Sequence, residues 1–208
     1  YSNNGVDGWT NVFGNTTTPT HPAITTERYY RVIAQNTAAC KRDTSDIVKV
    51  AFRNVWTGKM NNDWNEAANW SDEQLPTMSP CATVIIKDVS PIPAPVLIGG
   101  SSQIMNLQVD PGTSLTILND GILGIAGTIS SAGAINANDG TIEMNGAGTQ
   151  NISGAYFVGR NVERLHVSGN QLNVSNTPGD TLNITEKIAF STSAKLNTGD
   201  NITLKSKF

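Results

Sequence analysis

The sequence predicts an all-β chain whose C-terminal half winds as a parallel β-solenoid, and three observations carry that prediction. Between Leu107 and Leu204 short apolar beats recur, most of them apolar–polar–apolar: Leu107-Gln108-Val109, Leu115-Thr116-Ile117, Ile142-Glu143-Met144, Leu165-His166-Val167, Leu172-Asn173-Val174, Leu182-Asn183-Ile184 and Ile202-Thr203-Leu204. That is the period of two of a strand with one buried face. Turn formers separate the beats at Asp110-Pro111-Gly112, Asn119-Asp120-Gly121, Asn138-Asp139-Gly140, Pro178-Gly179-Asp180 and Gly199-Asp200-Asn201. The beats return roughly every six to ten residues, too tightly for helices or crossovers. The competing arrangement is an antiparallel meander in an ordinary β-sandwich. Strands of about three residues are short for hairpins, whose mode is about five to six. A solenoid tolerates them because each is paired above and below.

Length and composition bound the rest. With 208 residues the chain makes one large or two modest domains. A net charge of −3 and a pI near 5.3 supply no basic field to attract phosphates, which excludes a nucleic-acid or anionic-membrane partner. Only 15 % of residues are charged, while Asn, Thr, Ser and Gly abound, a balance suited to an extracellular β-protein. No apolar run approaches the roughly 20 residues of a membrane span. The chain opens on Tyr1 without initiator Met or signal peptide, so the expectation is a piece of something larger.

Taken in order, Tyr1 to Asn54 starts polar and turn-rich, then offers two β-branched or aromatic runs. Arg28 to Ala34 reads as one strand and Ile47 to Phe52 as its antiparallel neighbour. Cys40 lies between them. With Cys81 it forms either a disulfide or two free thiols, or pairs outside this sequence; neither sits in a metal-binding spacing. From Val55 to Gly100 the indoles of Trp56, Trp64 and Trp70 fall close together. They either cover the open end of the coil, whose core and strand edge need hiding, or form a platform on which sugars stack. Asn65 to Ala68 reads as one helical turn, prolines follow, and Thr83-Val84-Ile85-Ile86 opens the next domain.

The first segment resembles the back half of bacterial immunoglobulin-like repeats through Gly8-Trp9-Thr10, Thr25-Thr26, Tyr29-Tyr30-Arg31, Cys40, Ser45 and Ile47 to Phe52. The resemblance implies a partial immunoglobulin-like β-sandwich module over residues 1–54, lacking its front strands and the other family cysteine. From there, Trp56-Thr57-Gly58, Asp63-Trp64, Ala67-Ala68-Asn69-Trp70, Leu75-Pro76, Val84-Ile85-Ile86 and Pro95-Val96-Leu97 are similar to a module of large Bacteroidetes surface and gliding-motility adhesins. Gly140 to Gly146, Gln150 to Gly154, Phe157, Leu196 to Thr198 and Asn201 to Ser206 continue the likeness. It implies a Trp-rich cap and a right-handed parallel β-helix or solenoid over 55–208. It also implies export by type IX secretion and a role at the cell surface in attachment or movement.

Chemistry finds little purchase. Of the downstream acids, Asp110, Asp120, Asp139, Asp180 and Asp200 stand where turns want Asp. Glu143 points outward from its strand and needs a second outward acid on a neighbouring rung to make a catalytic pair. His166 also points outward and His21 sits in a Thr/Pro loop; neither accompanies a recognisable nucleophile, so a triad has no support. Arg160 and Arg164 flank Glu163 as surface ion pairs. The glycines near Gly124 and Gly127 precede no helix, which dismisses a phosphate-binding loop. The acidic turns lack the nonapeptide regularity of calcium-binding rolls, so no metal and no cofactor are expected. Asp180-Thr181-Leu182 is similar to the short O-glycosylation motif of Bacteroidetes secreted proteins, making Thr181 a candidate modification site. The expected function is a non-enzymatic, extracellular structural or adhesive module. Its partners would be neighbouring modules of the same chain and surface glycans. The alternatives are a carbohydrate-binding module using Trp56, Trp64 or Trp70, and a polysaccharide-processing β-helix.

Overall fold

A computed structural model describes residues 1–2, 5–10, 28–36, 41–50, 53–79 and 82–205. His21, Thr25-Thr26, Cys40 and Cys81 lie outside the described residues. The chain divides into two compact units, Tyr1–Phe52 and Arg53–Phe208.

In the first unit β1 (Arg28–Tyr30) pairs antiparallel with β4 (Val48–Val50), and β2 (Ile33–Asn36) with β3 (Lys41–Thr44). The single strand expected from Arg28 to Ala34 is therefore two. It breaks at Arg31-Val32, where the Val32 amide turns to Ser45 Oγ (2.9 Å) and its carbonyl takes the Ser45 amide (2.9 Å). The Arg31 guanidinium lies over the Trp9 ring at 3.9 Å, a cation–π contact. Two facing layers of a sandwich are not seen among the described residues.

The second unit is a β-solenoid of about six turns. Its strands are β5 (Arg53–Val55), β6 (Thr83–Ile86), β7 (Val96–Ile98), β8 (Ser101–Ile104), β9 (Asn106–Val109), β10 (Ser114–Leu118), β11 (Gly121–Ile125), β12 (Ile129–Ser131), β13 (Ala134–Met144), β14 (Thr149–Ile152), β15 (Phe157–Val167), β16 (Gln171–Val174), β17 (Leu182–Phe190), β18 (Lys195–Asn197) and β19 (Ile202–Leu204). Every ladder among them is parallel. One runs β5-β6-β9-β12, another β14-β16-β18, and a long one β7-β10-β13-β15-β17-β19 is flanked by β8 and β11. Helix is confined, among the described residues, to single 3-10 turns at Ala67–Asn69 and Gly154–Tyr156.

Each coil thus gives one strand to the first face and then, to the long sheet, either a pair (β7 and β8, β10 and β11) or one long strand (β13, β15, β17). Ile142 stands on Leu165 and Leu165 on Ile188, a constant step of one coil. Inward side chains consequently stack in columns, such as Ile104–Ile125–Met144–Val167–Phe190 and Val84–Leu107–Ile129. All but Phe190 in these columns are buried, each aliphatic contributing about 1.5–3 kcal/mol of transfer free energy. The strands succeed at such lengths because the ladder, not the strand, is the cooperative unit. The Asn138-Asp139-Gly140 turn expected from sequence is instead carried inside β13, where the pairing with β15 shifts register between Ala137 and Thr141.

The solenoid's first end is closed by the tryptophan segment. Asp63 bridges Val96 on the edge strand β7: Trp64 N–H donates to the Val96 carbonyl (3.0 Å) and Val96 N–H to the Asn62 carbonyl (2.8 Å). Ser71 covers the β5 edge, its amide bound to the Val55 carbonyl (2.9 Å) and its hydroxyl accepting from Val55 N–H (3.0 Å). Two columns end in polar residues that donate to or accept from the cap, although Asn54 Oδ1 is buried without a partner. Asn54, stacked on Val84, donates to the Gln74 carbonyl (2.9 Å), and Ser102, stacked on Leu123, accepts from Trp64 Nε1 (3.0 Å). This disposes of an otherwise exposed sheet edge.

Candidate functional site

The indoles expected either to cover the coil or to bind sugars are interior. Trp56, Trp64 and Trp70 are at most 1 % exposed. Trp70 meets Trp56 and Trp64 edge-on, with centroids 5.1 and 4.8 Å apart. Their N–H groups donate to the Pro93 carbonyl, Ser102 Oγ and the Trp64 carbonyl. A pyranose needs a free ring face, and these three have none to give. Asn69 between them is the organiser: its Oδ1 accepts from Met60 and Asn61 amides (2.8 and 3.1 Å), and its Nδ2 donates to Asn61 Oδ1 (2.7 Å) and the Asp63 carbonyl (2.9 Å).

The outward face of the long sheet carries a polar row. Gln103, Gly124, Glu143, His166 and Ala189 occupy one register position on successive coils. Gly124 leaves a gap that the Gln103 carboxamide fills, since a Cβ there would overlap it. Gln103 Nε2 thereby reaches Glu143 Oε2 (3.0 Å), and Asn145 Nδ2 donates to Gln103 Oε1. Glu143 Oε1 accepts from Ser168 Oγ (2.6 Å) and lies 3.3 Å from His166 Nδ1; His166 Nε2 is 3.3 Å from Ser191 Oγ.

Serine, histidine and glutamate thus stand in the order of a nucleophile relay, which the sequence reading missed because each comes from a different coil. Only the coil-length repeat of Ile142-Glu143-Met144, Leu165-His166-Val167 and Ile188-Ala189-Phe190 could have aligned them. Two features tell against acyl transfer. The Ser191 amide, the nearest oxyanion donor, is spent on the Val167 carbonyl (3.0 Å), where a relay needs donors aimed at the developing charge. The Glu143 carboxylate is shared among Gln103, Ser168 and His166 rather than reserved for the imidazole. The row acts as an axial staple.

Arg164 makes a second junction. Its Nη2 lies 2.5 Å from Asp120 Oδ1 and 3.2 Å from Glu163 Oε2, its Nη1 2.9 Å from Glu186 Oε2, and its Nε donates to Thr141 Oγ1 (3.1 Å). The pairing expected of Arg164 with Glu163 is present, but not at the surface. Glu163 is buried, and Arg160 turns away to donate to the Gly179 carbonyl. Acids of several coils do gather, yet the guanidinium fills the space where a glycosidase holds its sugar and water, between carboxylates about 5–9.5 Å apart.

A cleft of about 640 Å³ opens where the 153–156 and 175–181 connections stack, lined by Asn151, Tyr156, Arg160, Ser175, Thr177 and Pro178 among others. Asp180 is its buried anchor, accepting from Ser153 Oγ and the Ala155 amide, both at 2.7 Å. Burial pushes the Asp180 carboxyl upward, but the Ser153 and Ser175 hydroxyls, the Ala155 amide and the Arg160 charge outweigh it and hold the group below its ordinary value. Thr181, the candidate for glycosylation, is half-buried beside it.

Among the described residues no group of three His, Cys, Asp or Glu is placed to hold a metal ion, and no helix is long and apolar enough to cross a membrane. No curated protein and no solved structure matches the chain. A family match covers the cap and the coils as far as β15: over residues 55–165, more than half its length, the chain fits the family described as Domain of unknown function (DUF8693), and it belongs to that family.

Proposed function

We propose that this chain is a non-enzymatic structural and adhesive segment of a bacterial cell-surface protein, working outside the cell as a stiff spacer or display rod. The observation that carries this is the axial continuity of the solenoid. Inward columns and the outward Gln103–Glu143–His166–Ser191 row both cross coil after coil, so a pull along the axis loads many bonds together. On this reading the coil is right-handed, as parallel crossovers nearly always are. The first unit belongs to an immunoglobulin-like module, and the neighbouring modules of a long adhesin of the type IX-secreted kind are its partners, in attachment or gliding. Surface glycans are the second class of partner; nucleic acid and bilayer insertion play no part.

The test is mechanical. The chain, tethered by its two ends, is pulled in force spectroscopy and compared on coated beads for attachment to cells. Stepwise unfolding coil by coil with measurable attachment is expected; featureless extension at low force, or beads that never attach, would end the reading.

A further inference from the structure

We infer that the cleft between residues 151–160 and 175–180 is a binding site for a neutral saccharide. The inference rests on the adhesive reading above and names what the module would hold.

The first argument is architectural. The step from first face to long sheet takes only Ala132-Gly133 between β12 and β13, but the whole of 175–181 between β16 and β17. Coil closure does not require that extra length, and in solenoids insertions on one face are where binding surfaces are built. The other long connection, 87–95, has a use in the cap, where Pro93 accepts from Trp56 Nε1 and a Cβ on Gly58 would collide with Ile92. The 175–181 connection covers no such end.

The second argument is the chemistry of the lining. A volume of about 640 Å³ falls within the roughly 300–1,000 Å³ of small-molecule sites. The Tyr156 ring and Pro178 give apolar surface suited to the C–H face of a pyranose. Asp180 takes the hydroxyl proton of Ser153. Ser153 Oγ already accepts from the Ala155 amide (3.1 Å) and Ser175 Oγ from the Thr177 amide (3.3 Å), so each keeps one further lone pair to accept. Arg160 keeps further N–H groups beyond the one given to Gly179, and Asn151, whose Oδ1 takes a bond from Asn173, keeps Nδ2 to donate. Acceptors and donors alternate around an apolar patch, and the group that satisfies both is a hydroxyl. Arg160 and Asp180 offset each other in charge, which gives no advantage to a carboxylated or phosphorylated ligand.

The experiment probes the full chain against a printed array of neutral and acidic oligosaccharides, then titrates the best neutral hit by calorimetry. Binding to at least one neutral oligosaccharide is expected, weakened about tenfold or more by Tyr156→Ala and by Arg160→Ala. Because Tyr156 also packs on the core, a third variant, Thr177→Trp, fills the cleft from an exposed position and should abolish binding with the fold intact. A preference for acidic sugars, neutral binding that survives Thr177→Trp, or an array with no neutral hit would each overturn the site. Bead attachment measured in parallel separates the two ideas: attachment without saccharide binding removes this site only, whereas absent attachment removes the adhesive reading itself.

Discussion

Gln103 and Glu143 are hydrogen-bonded across an intervening coil, Nε2 to Oε2 at 3.0 Å, because the residue between them is Gly124. Gly124→Ala therefore tests a gap rather than a backbone torsion. The added methyl must displace the Gln103 carboxamide, at about 1–3 kcal/mol for overpacking with a lost bond. In a Gln103→Ala background the same substitution should cost much less, a coupling that urea titration of the four proteins in a double-mutant cycle would read.

Asn69→Ala is expected to be among the most damaging single changes. It removes a wholly buried carboxamide and leaves the Met60 and Asn61 amides, in part-buried bonds, without their shared acceptor, a loss of about 1–3 kcal/mol. Thermal unfolding followed by tryptophan fluorescence should show the indoles becoming solvent-exposed before the coils melt.

Asp180 gives the cleft a sense of pH. Its folded pKa lies below the ordinary one, so its stabilisation is complete above the unfolded value of about 4 and is lost as pH falls through the folded value. The stability difference between the native chain and Asp180→Asn should shrink as solutions are acidified from neutrality to below pH ~4. A difference that held constant over that interval would contradict the assigned cause.

Ser191 should stay unlabelled by a fluorophosphonate probe, and Ser191→Ala should cost about 1 kcal/mol, one part-buried hydrogen bond. Labelling of Ser191 that His166→Ala abolishes would turn the row from a staple into a nucleophile relay.

Much of this architecture was legible in the residues. Alternation at Leu107-Gln108-Val109 or Leu172-Asn173-Val174 states which side chains go in, and parallel pairing above and below lets strands of that length survive. Pitch was not legible. The beats give spacing along the chain but not which beat lies on which, so Glu143 and His166 read as unrelated outward residues and Ser191 does not stand out. Gly124 precedes no helix and so offers no phosphate loop, but nothing in the sequence states its use, which is to let the Gln103 side chain pass. Asn138-Asp139-Gly140 carries turn residues, yet the strand shifts register there and continues. Glu163 is inside despite its charge because Arg164 accompanies it.

One seam interrupts the stack. The first-face ladder stops at β12 and resumes at β14, and between them stands the buried carboxamide of Gln150, donating to the Ile125 and Gly127 carbonyls (both 2.8 Å) and accepting from the Gly146 amide (2.7 Å). The long sheet does cross that level, β13 pairing with β15 through two register shifts and then in register from Thr141 to Met144. Under tension the solenoid is thus expected to open like a book, with the long sheet as its spine and one glutamine as its clasp. That would let the coils part at one set level before the long sheet itself ruptures.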